Sequence, residues 1–173
     1  MNIVLIGYMG SGKSTIGRVL AKSINYNFLD LDSFIEEKEE MSISNIFKSN
    51  GEIYFRKKEA YYLSTLLETN NKTVIALGGG TPCFGNNMNT ILTSKNSESI
   101  YLKAKIPTLV KRLFTHKASR PLITHVNSIP ELNEFIGKHL FEREPYYRKA
   151  EHIINTDNKE EKDIIEEIIF ELF

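Results

Sequence analysis

The stretch Gly7-Tyr8-Met9-Gly10-Ser11-Gly12-Lys13-Ser14-Thr15 follows the apolar run Asn2-Ile3-Val4-Leu5-Ile6 and leads into a segment with helical spacing. Gly7, Gly12, Lys13 and Ser14 satisfy the pattern G-x-x-x-x-G-K-[ST], and they stand between a predicted strand and a predicted helix, as that pattern requires. Glycines in such a loop let backbone N–H groups turn inward as an anion nest. A helix that starts at Lys13 aims its positive dipole end at the same point. Lys13 is then placed to reach the β and γ phosphates of a nucleoside triphosphate, and Ser14 to ligate Mg²⁺ through its hydroxyl. The alternative is a glycine-rich turn that holds no ligand, and the full pattern in its strand, turn and helix setting favours nucleotide binding. The motif by itself says little about the reaction.

Outward from this loop, short β-rich runs alternate with longer helical patterns. Residues 3–6, 27–30, 73–77, 99–102 and 152–154 read as strands. Residues 14–24 carry Ile16, Val19, Leu20 and Ile24 at helical spacing, as do Ile164, Ile165, Ile168, Ile169 and Leu172 near the C-terminus. Such alternation predicts a parallel sheet covered by helices on both faces. The last helix has Glu166, Glu167 and Glu171 on its polar side, which anionic lipid would repel, so it reads as a core-covering helix. Two segments exceed a minimal strand-helix alternation: residues 32–69, a long and mostly helical excursion, and residues 115–130, a polar loop with Pro121 and Pro130. The charge run Glu36-Glu37-Lys38-Glu39-Glu40 reads as a solvated helix face and Tyr61-Tyr62 as packing.

A chain of 173 residues is long enough for one cored domain and leaves little room for a second, so a substrate-specific part has to be an insertion. The 22 basic and 22 acidic residues balance, which argues against nucleic acid or an anionic membrane as partner. Cys83 is the only cysteine, which excludes an internal disulfide and fits a reducing cytoplasm. No signal peptide or membrane span is expected, because the first strand begins almost at Met1. No metal spacing links the histidines, of which His116 and His125 fall in the polar loop.

Asp30 and Asp32 close the second strand, and a spacing of two puts both carboxylates on one side of it. Ligands of a parallel sheet collect beyond the carboxyl ends of its strands, where the phosphate loop also lies. One carboxylate can hold Mg²⁺ through water while the other accepts a hydrogen bond from a substrate hydroxyl. The competing reading makes Asp32 a helix N-cap ahead of Ser33-Phe34-Ile35. Further on, Gly51-Glu52-Ile53-Tyr54-Phe55-Arg56-Lys57-Lys58-Glu59 reads as a charged helix start, and Gly78-Gly79-Gly80 after the third strand permits close backbone approach to a ligand. Arg120-Pro121-Leu122 lies in the polar loop, and Arg143-Glu144-Pro145-Tyr146-Tyr147 ends the long helix before the last strand.

Taken in order, these landmarks resemble the shikimate kinase family along nearly the whole chain: GYMGSGKST, FLDLD at 28–32, SISNIF at 42–47, GEIYFRKKE at 51–59, LGGG at 77–80, SRPL at 119–122 and REPYY at 143–147. The phosphate loop is common to many families, whereas the remaining series in that order is specific. The resemblance implies a P-loop α/β fold of the nucleoside-monophosphate-kinase type, with a five-stranded parallel sheet, a substrate-binding insertion at about residues 32–60 and a lid at about 112–126. It also implies ATP-dependent phosphorylation of the 3-hydroxyl of shikimate, in aromatic amino-acid synthesis. Residue by residue, it implies Gly7, Gly10, Ser11, Gly12, Lys13, Ser14 and Thr15 around the nucleotide, and Ser14 and Asp30 at Mg²⁺. Asp32 would meet the substrate hydroxyls, Arg56 and Arg143 its carboxylate, and Gly78, Gly79 and Gly80 its ring. Lys13 and Arg120 would contact the transferring phosphate, and Glu59 would orient Arg56. Arg112 and the loop Asn155-Thr156-Asp157-Asn158 are the adenine-side candidates.

The chemistry of the residues agrees. A small anionic polyol calls for arginine forks on its carboxylate and a carboxylate on its hydroxyls. A gluconate or nucleoside-monophosphate kinase shares the loop, but a phosphate-bearing acceptor calls for more basic residues in the insertion. A silent sensing module is expected to lack Lys13, Ser14, Asp32 or Arg120, and all are present. A GTP switch calls for N-K-x-D, and Asn71-Lys72-Thr73-Val74 lacks the aspartate. A monomer is expected.

Overall fold

The protein is described by a computed structural model at residues 1–115 and 123–173. In chain order its elements are β1 Asn2–Ile6, α1 Lys13–Ser23, β2 Asn27–Asp30, α2 Leu31–Glu39, α3 Ile43–Thr69, β3 Thr73–Ala76, α4 Asn87–Leu92, β4 Ser97–Lys103, α5 Ile106–Phe114, α6 Ile129–Tyr147, β5 His152–Asn155 and α7 Glu161–Leu172. The strands form one sheet in the order β2-β3-β1-β4-β5, with every neighbouring pair parallel. The expected strands are present with ends moved by a residue or two.

Strand periodicity divides the apolar residues between two layers. On β1, Ile3 and Leu5 join Ile16 and Leu20 of α1 and Ile164, Ile165 and Ile168 of α7. Val4 and Ile6 face the other way and pack with Leu63 of α3, Leu109 of α5 and Ile136 of α6. All five residues of β1 are buried, as a central parallel strand covered on both faces requires.

The excursion between β2 and β3 is the helix pair α2 and α3. Glu40 ends α2 in the left-handed region at φ 51°, Ser42 caps α3 by accepting from the Asn45 N–H, and α3 is interrupted at Gly51, whose φ of 82° and ψ of 170° are not helical. Glu36, Glu37 and Lys38 are exposed, as the charge run predicts. Glu39 departs from that prediction: its carboxylate turns onto α3 and accepts from the Tyr54 hydroxyl at 2.5 Å and the Tyr62 hydroxyl at 2.6 Å, with Lys58 Nζ at 3.0 Å. These donors hold its carboxyl down at about 2, the tyrosine hydroxyls first.

Glu39 therefore fastens the insertion to itself. Replacing it by glutamine removes the charge from three contacts, and hydrogen bonds to charged groups contribute about 1.5–3 kcal/mol; the expected loss of unfolding free energy at pH 7 is of that order. The folded-state pKa lies below the ordinary 4.5, so the contribution is complete above that value and is lost as pH falls through about 2. In denaturant titrations the gap between the wild type and Glu39→Gln should shrink between pH 4.5 and 2. A gap independent of pH contradicts this role.

Candidate active site

The loop from β1 to α1 folds as its glycines dictate. Gly7, Gly10 and Gly12 have φ of 153°, 80° and 99°, a region that side chains disfavour. A Cβ on Gly7 would also lie 2.8 Å from the Leu102 carbonyl oxygen. Lys13 is buried, and its ammonium donates to the Gly7 and Tyr8 carbonyls at 2.7 and 2.9 Å. The Ser11 hydroxyl is buried and has no hydrogen-bond partner among the described residues, so a polar group is wanted beside it. Thr15 is exposed at the start of α1, and Arg112 donates to the Gly10 carbonyl at 3.1 Å.

Asp30 joins this loop to the insertion. Its Oδ2 accepts from the Ser14 hydroxyl at 2.7 Å, while Oδ1 accepts from the backbone N–H groups of Asp32 and Ser33 and so caps α2. The competing reading of Asp32 as the N-cap fails, since the cap is Asp30. One expectation is corrected: the two carboxylates do not share a strand face, because β2 ends at Asp30 and Asp32 already belongs to the first turn of α2. The turn from strand to helix brings them to one site instead. Asp32 is half-buried, and its carboxyl is raised to about 6, chiefly by burial and next by the charges of Asp30 and Glu59, with Lys13 opposing.

Beyond β3 the three glycines lie against these groups. A Cβ on Gly78 would stand 2.7 Å from Asp32 Oδ1, one on Gly80 would stand 3.2 Å from both terminal nitrogens of Arg56, and one on Gly79 would stand 3.7 Å from Arg143 Nη1. Arg56 reaches Glu59 Oε2 at 2.9 Å and Glu52 Oε1 at 3.4 Å, and its guanidinium carbon lies 3.6 Å from the Phe84 ring centroid. Glu59 is buried, and its other oxygen accepts from the Thr81 hydroxyl at 2.7 Å, so both the carboxylate and the arginine are fixed.

Arg143 is held differently. Among the described residues no carboxylate pairs with it; its Nη2 lies 3.4 Å from His139 Nε2 and its guanidinium carbon 5.9 Å from the Tyr8 ring centroid. The Tyr147 hydroxyl donates to the Gly79 carbonyl, and the Cys83 thiol nearby is pushed up to about 11 by burial, against the pull of Arg143 and Arg56. Sequence reasoning quoted Tyr8 and Tyr147 within motifs without giving either a role, and did not single out Thr81, Phe84 or His139. His139 and Tyr147 lie one helical turn either side of Arg143 on α6, and that spacing was the signal available.

Arg120 and His116 lie outside the described residues, as does the middle of the sequence expected to form the lid, residues 116–122. The loop after β5 is tied to the start of α5: Asp157 accepts from the Lys105 N–H and the Thr108 hydroxyl. Among the described residues no cluster of three or more His, Cys, Asp or Glu could hold a metal ion; the Ser14 hydroxyl and Asp30 carboxylate, bonded to each other, are hard oxygen donors beside the loop.

A phosphate nest with two guanidinium groups and a carboxylate near it, at the carboxyl edge of a β2-β3-β1-β4-β5 sheet, defines a small-molecule kinase with the P-loop NTPase fold. The family model described as shikimate kinase matches residues 9–173, and the chain belongs to that family. A shikimate kinase of Flavobacterium johnsoniae is 46% identical over 96% of either chain. The 1.7 Å crystal structure of a Bacteroides thetaiotaomicron shikimate kinase superposes with a TM-score of 0.88 at 32% identity, covering 99% of both chains. An Acinetobacter baumannii shikimate kinase in complex with shikimate superposes at 0.82, also at 32% identity, over 97% of this chain and 90% of that one.

Gly78 has no positive φ, so alanine suits its backbone while its methyl group strikes Asp32. Gly78→Ala should retain the melting temperature within a few degrees and lose about tenfold or more in kcat/KM for phosphoryl transfer, since misplacement of a reacting group near 1 Å is costly. Wild-type kcat/KM in a folded Gly78→Ala protein would contradict the placement of Asp32 against this turn.

Proposed function

We infer that the protein transfers the γ-phosphoryl group of ATP to the 3-hydroxyl of shikimate, giving shikimate 3-phosphate and ADP, a step in chorismate and aromatic amino-acid biosynthesis. Membership of the family supports the reaction, and Arg143 carries the reading at the site. A half-buried guanidinium without a carboxylate among the described residues is suited to an anion delivered by substrate. Arg56, oriented by Glu59, supplies the second cation for the acceptor's carboxylate, and Gly78, Gly79 and Gly80 admit the ring close to backbone. Asp32 faces the acceptor hydroxyls.

In the transfer, the acceptor oxygen forms a bond to the γ phosphorus as the bond from that phosphorus to the β–γ bridging oxygen breaks. ADP departs with that oxygen, and the hydroxyl proton passes to Asp32 or to water. The transition state is loose, so the protein's main work is to align the reactants and stabilise charge on the transferring group. Lys13 exchanges its loop carbonyls for phosphate oxygens, and the Ser11 hydroxyl and inward N–H groups of the loop complete the nest. Mg²⁺ fits the Ser14 hydroxyl, with Asp30 acting through water, and would supply charge neutralisation on the phosphates. On the resemblance of Ser119-Arg120-Pro121-Leu122 to the family's lid sequence, Arg120 is proposed to bring a further positive charge to the transferring phosphate.

The partner is a small molecule rather than nucleic acid or membrane, consistent with the balanced charge. Among the described residues no helix is long and apolar enough to cross a membrane. A cytoplasmic monomer is part of the same proposal.

A coupled ADP-release assay with ATP and Mg²⁺, offering shikimate, quinate, gluconate, AMP or no acceptor, tests the reading. Release that depends on shikimate is expected; release with gluconate or AMP in its place overturns the substrate assignment. Arg56→Ala should raise KM for shikimate about 10- to 100-fold, from the 1.5–3 kcal/mol of a charged contact, and leave KM for ATP within about twofold. Equal damage to both constants would remove Arg56 from the acceptor side.

A further inference from the structure

His139 stands between two groups that constrain its protonation. Its Nε2 lies 3.4 Å from Arg143 Nη2, and its Nδ1 lies 3.0 Å from the Tyr8 hydroxyl. A guanidinium only donates, so Nε2 must accept and carries no proton. A neutral imidazole has one N–H, which therefore sits on Nδ1 and donates to the Tyr8 oxygen. Tyr8 is buried in the phosphate loop, and its carbonyl receives the Lys13 ammonium. The imidazole thus links the arginine of α6 to the loop that cradles the nucleotide.

We propose that His139, held as the neutral Nδ1–H form between Tyr8 and Arg143, is a positioning residue that aims the Arg143 guanidinium at the acceptor's carboxylate and releases it on protonation. The proposal rests on the reading of Arg143 as a carboxylate ligand. Glu59 fixes Arg56 by an ion pair, while among the described residues Arg143 has no acidic partner, and His139 takes the orienting part without neutralising the charge. Arg56 shares its charge with Glu59, whereas a neutral acceptor leaves the whole charge of Arg143 for the anionic substrate.

Protonation adds a proton at Nε2, where it meets the N–H of Arg143, and sets two cations side by side. The groups that face the ring are Arg143 and Glu142 on its own helix and Tyr8 from the loop after β1, while Phe135 packs against it with its ring centroid at 5.0 Å and carries His125 on its far side. Burial and Arg143 lower the imidazole's pKa below the ordinary 6.5, and Glu142 opposes them. The neutral form is therefore the working form at neutral pH, and the arginine is freed only in acid.

The test compares wild type, His139→Gln and His139→Leu, each measured for KM of shikimate, KM of ATP and kcat between pH 5.5 and 8.5. Glutamine can accept from Arg143 and donate to Tyr8, but it does not titrate. In the wild type, kcat/KM for shikimate should fall below about pH 6.5 through a rise in KM for shikimate, with KM for ATP flat. His139→Gln should keep the KM for shikimate within about threefold at pH 7.5 and show a smaller rise in acid than the wild type; His139→Leu should raise it about three- to tenfold at every pH. Asp32 is common to all three proteins, so any dependence it contributes survives in each. A KM for shikimate that rises in acid equally in wild type and His139→Gln overturns the proposal, as does one that falls in acid, which would make His139 a direct cation for the substrate. Arg143→Ala measured alongside separates the premise: an unchanged KM for shikimate there refutes the arginine's assignment, whatever the histidine does.

Discussion

The carboxylate of Asp30 is the contact on which the arrangement of the site depends. One oxygen caps α2 and the other takes the Ser14 hydroxyl, so a single side chain ties the end of β2, the start of the insertion and the helix behind the phosphate loop. A capping carboxylate also favours the helix dipole. Asp32 follows within the first helical turn, and its position against Gly78 and its charge coupling to Lys13 are consequences of where that helix starts. Glu59 does the corresponding work on the far side. It is buried between Arg56 and Thr81 and fixes α3 to the glycine turn after β3. A buried ion pair of this kind contributes little to stability by itself, but both charges are hydrogen-bonded, and the geometry it enforces is what an acceptor site needs.

Much of this was legible in the sequence because the relevant residues report local backbone geometry. The glycines of the phosphate loop are required by their φ values, and the alternation of apolar residues on β1 fixes which layer each one joins. Asp30 and Asp32 were paired by a period-two argument that the fold does not use. Both residues reach one site because the strand stops at Asp30 and the helix starts at Leu31. Glu39 was hidden in a charge run because its partners Tyr54 and Tyr62 follow 15 and 23 residues later and are brought back by the turn between α2 and α3.

Contacts across long separations were the least legible. Tyr8 and His139 meet over 131 residues, and no composition, period or motif joins them. Tyr8 occupies a variable place of the loop pattern, and His139 looks like an ordinary helix residue until Arg143, one turn later, is given a task. The two arginines illustrate the same point. In sequence each is a single basic residue, whereas in the fold Arg56 is paired with Glu59 and Arg143 has no carboxylate partner among the described residues. That difference leaves Arg143 with its full charge near the glycine turn after β3, as the proposed reading of a carboxylated acceptor requires.

On the proposed function, the site presents one particular hydroxyl of the acceptor, that on C3, to the γ phosphate. Proton–phosphorus correlation NMR of the product formed from ATP and shikimate tests it most directly. A single new phosphomonoester signal correlated with the proton on C3 is the predicted result. Correlation with the proton on C4 or C5, or inorganic phosphate as the only new signal, would contradict it.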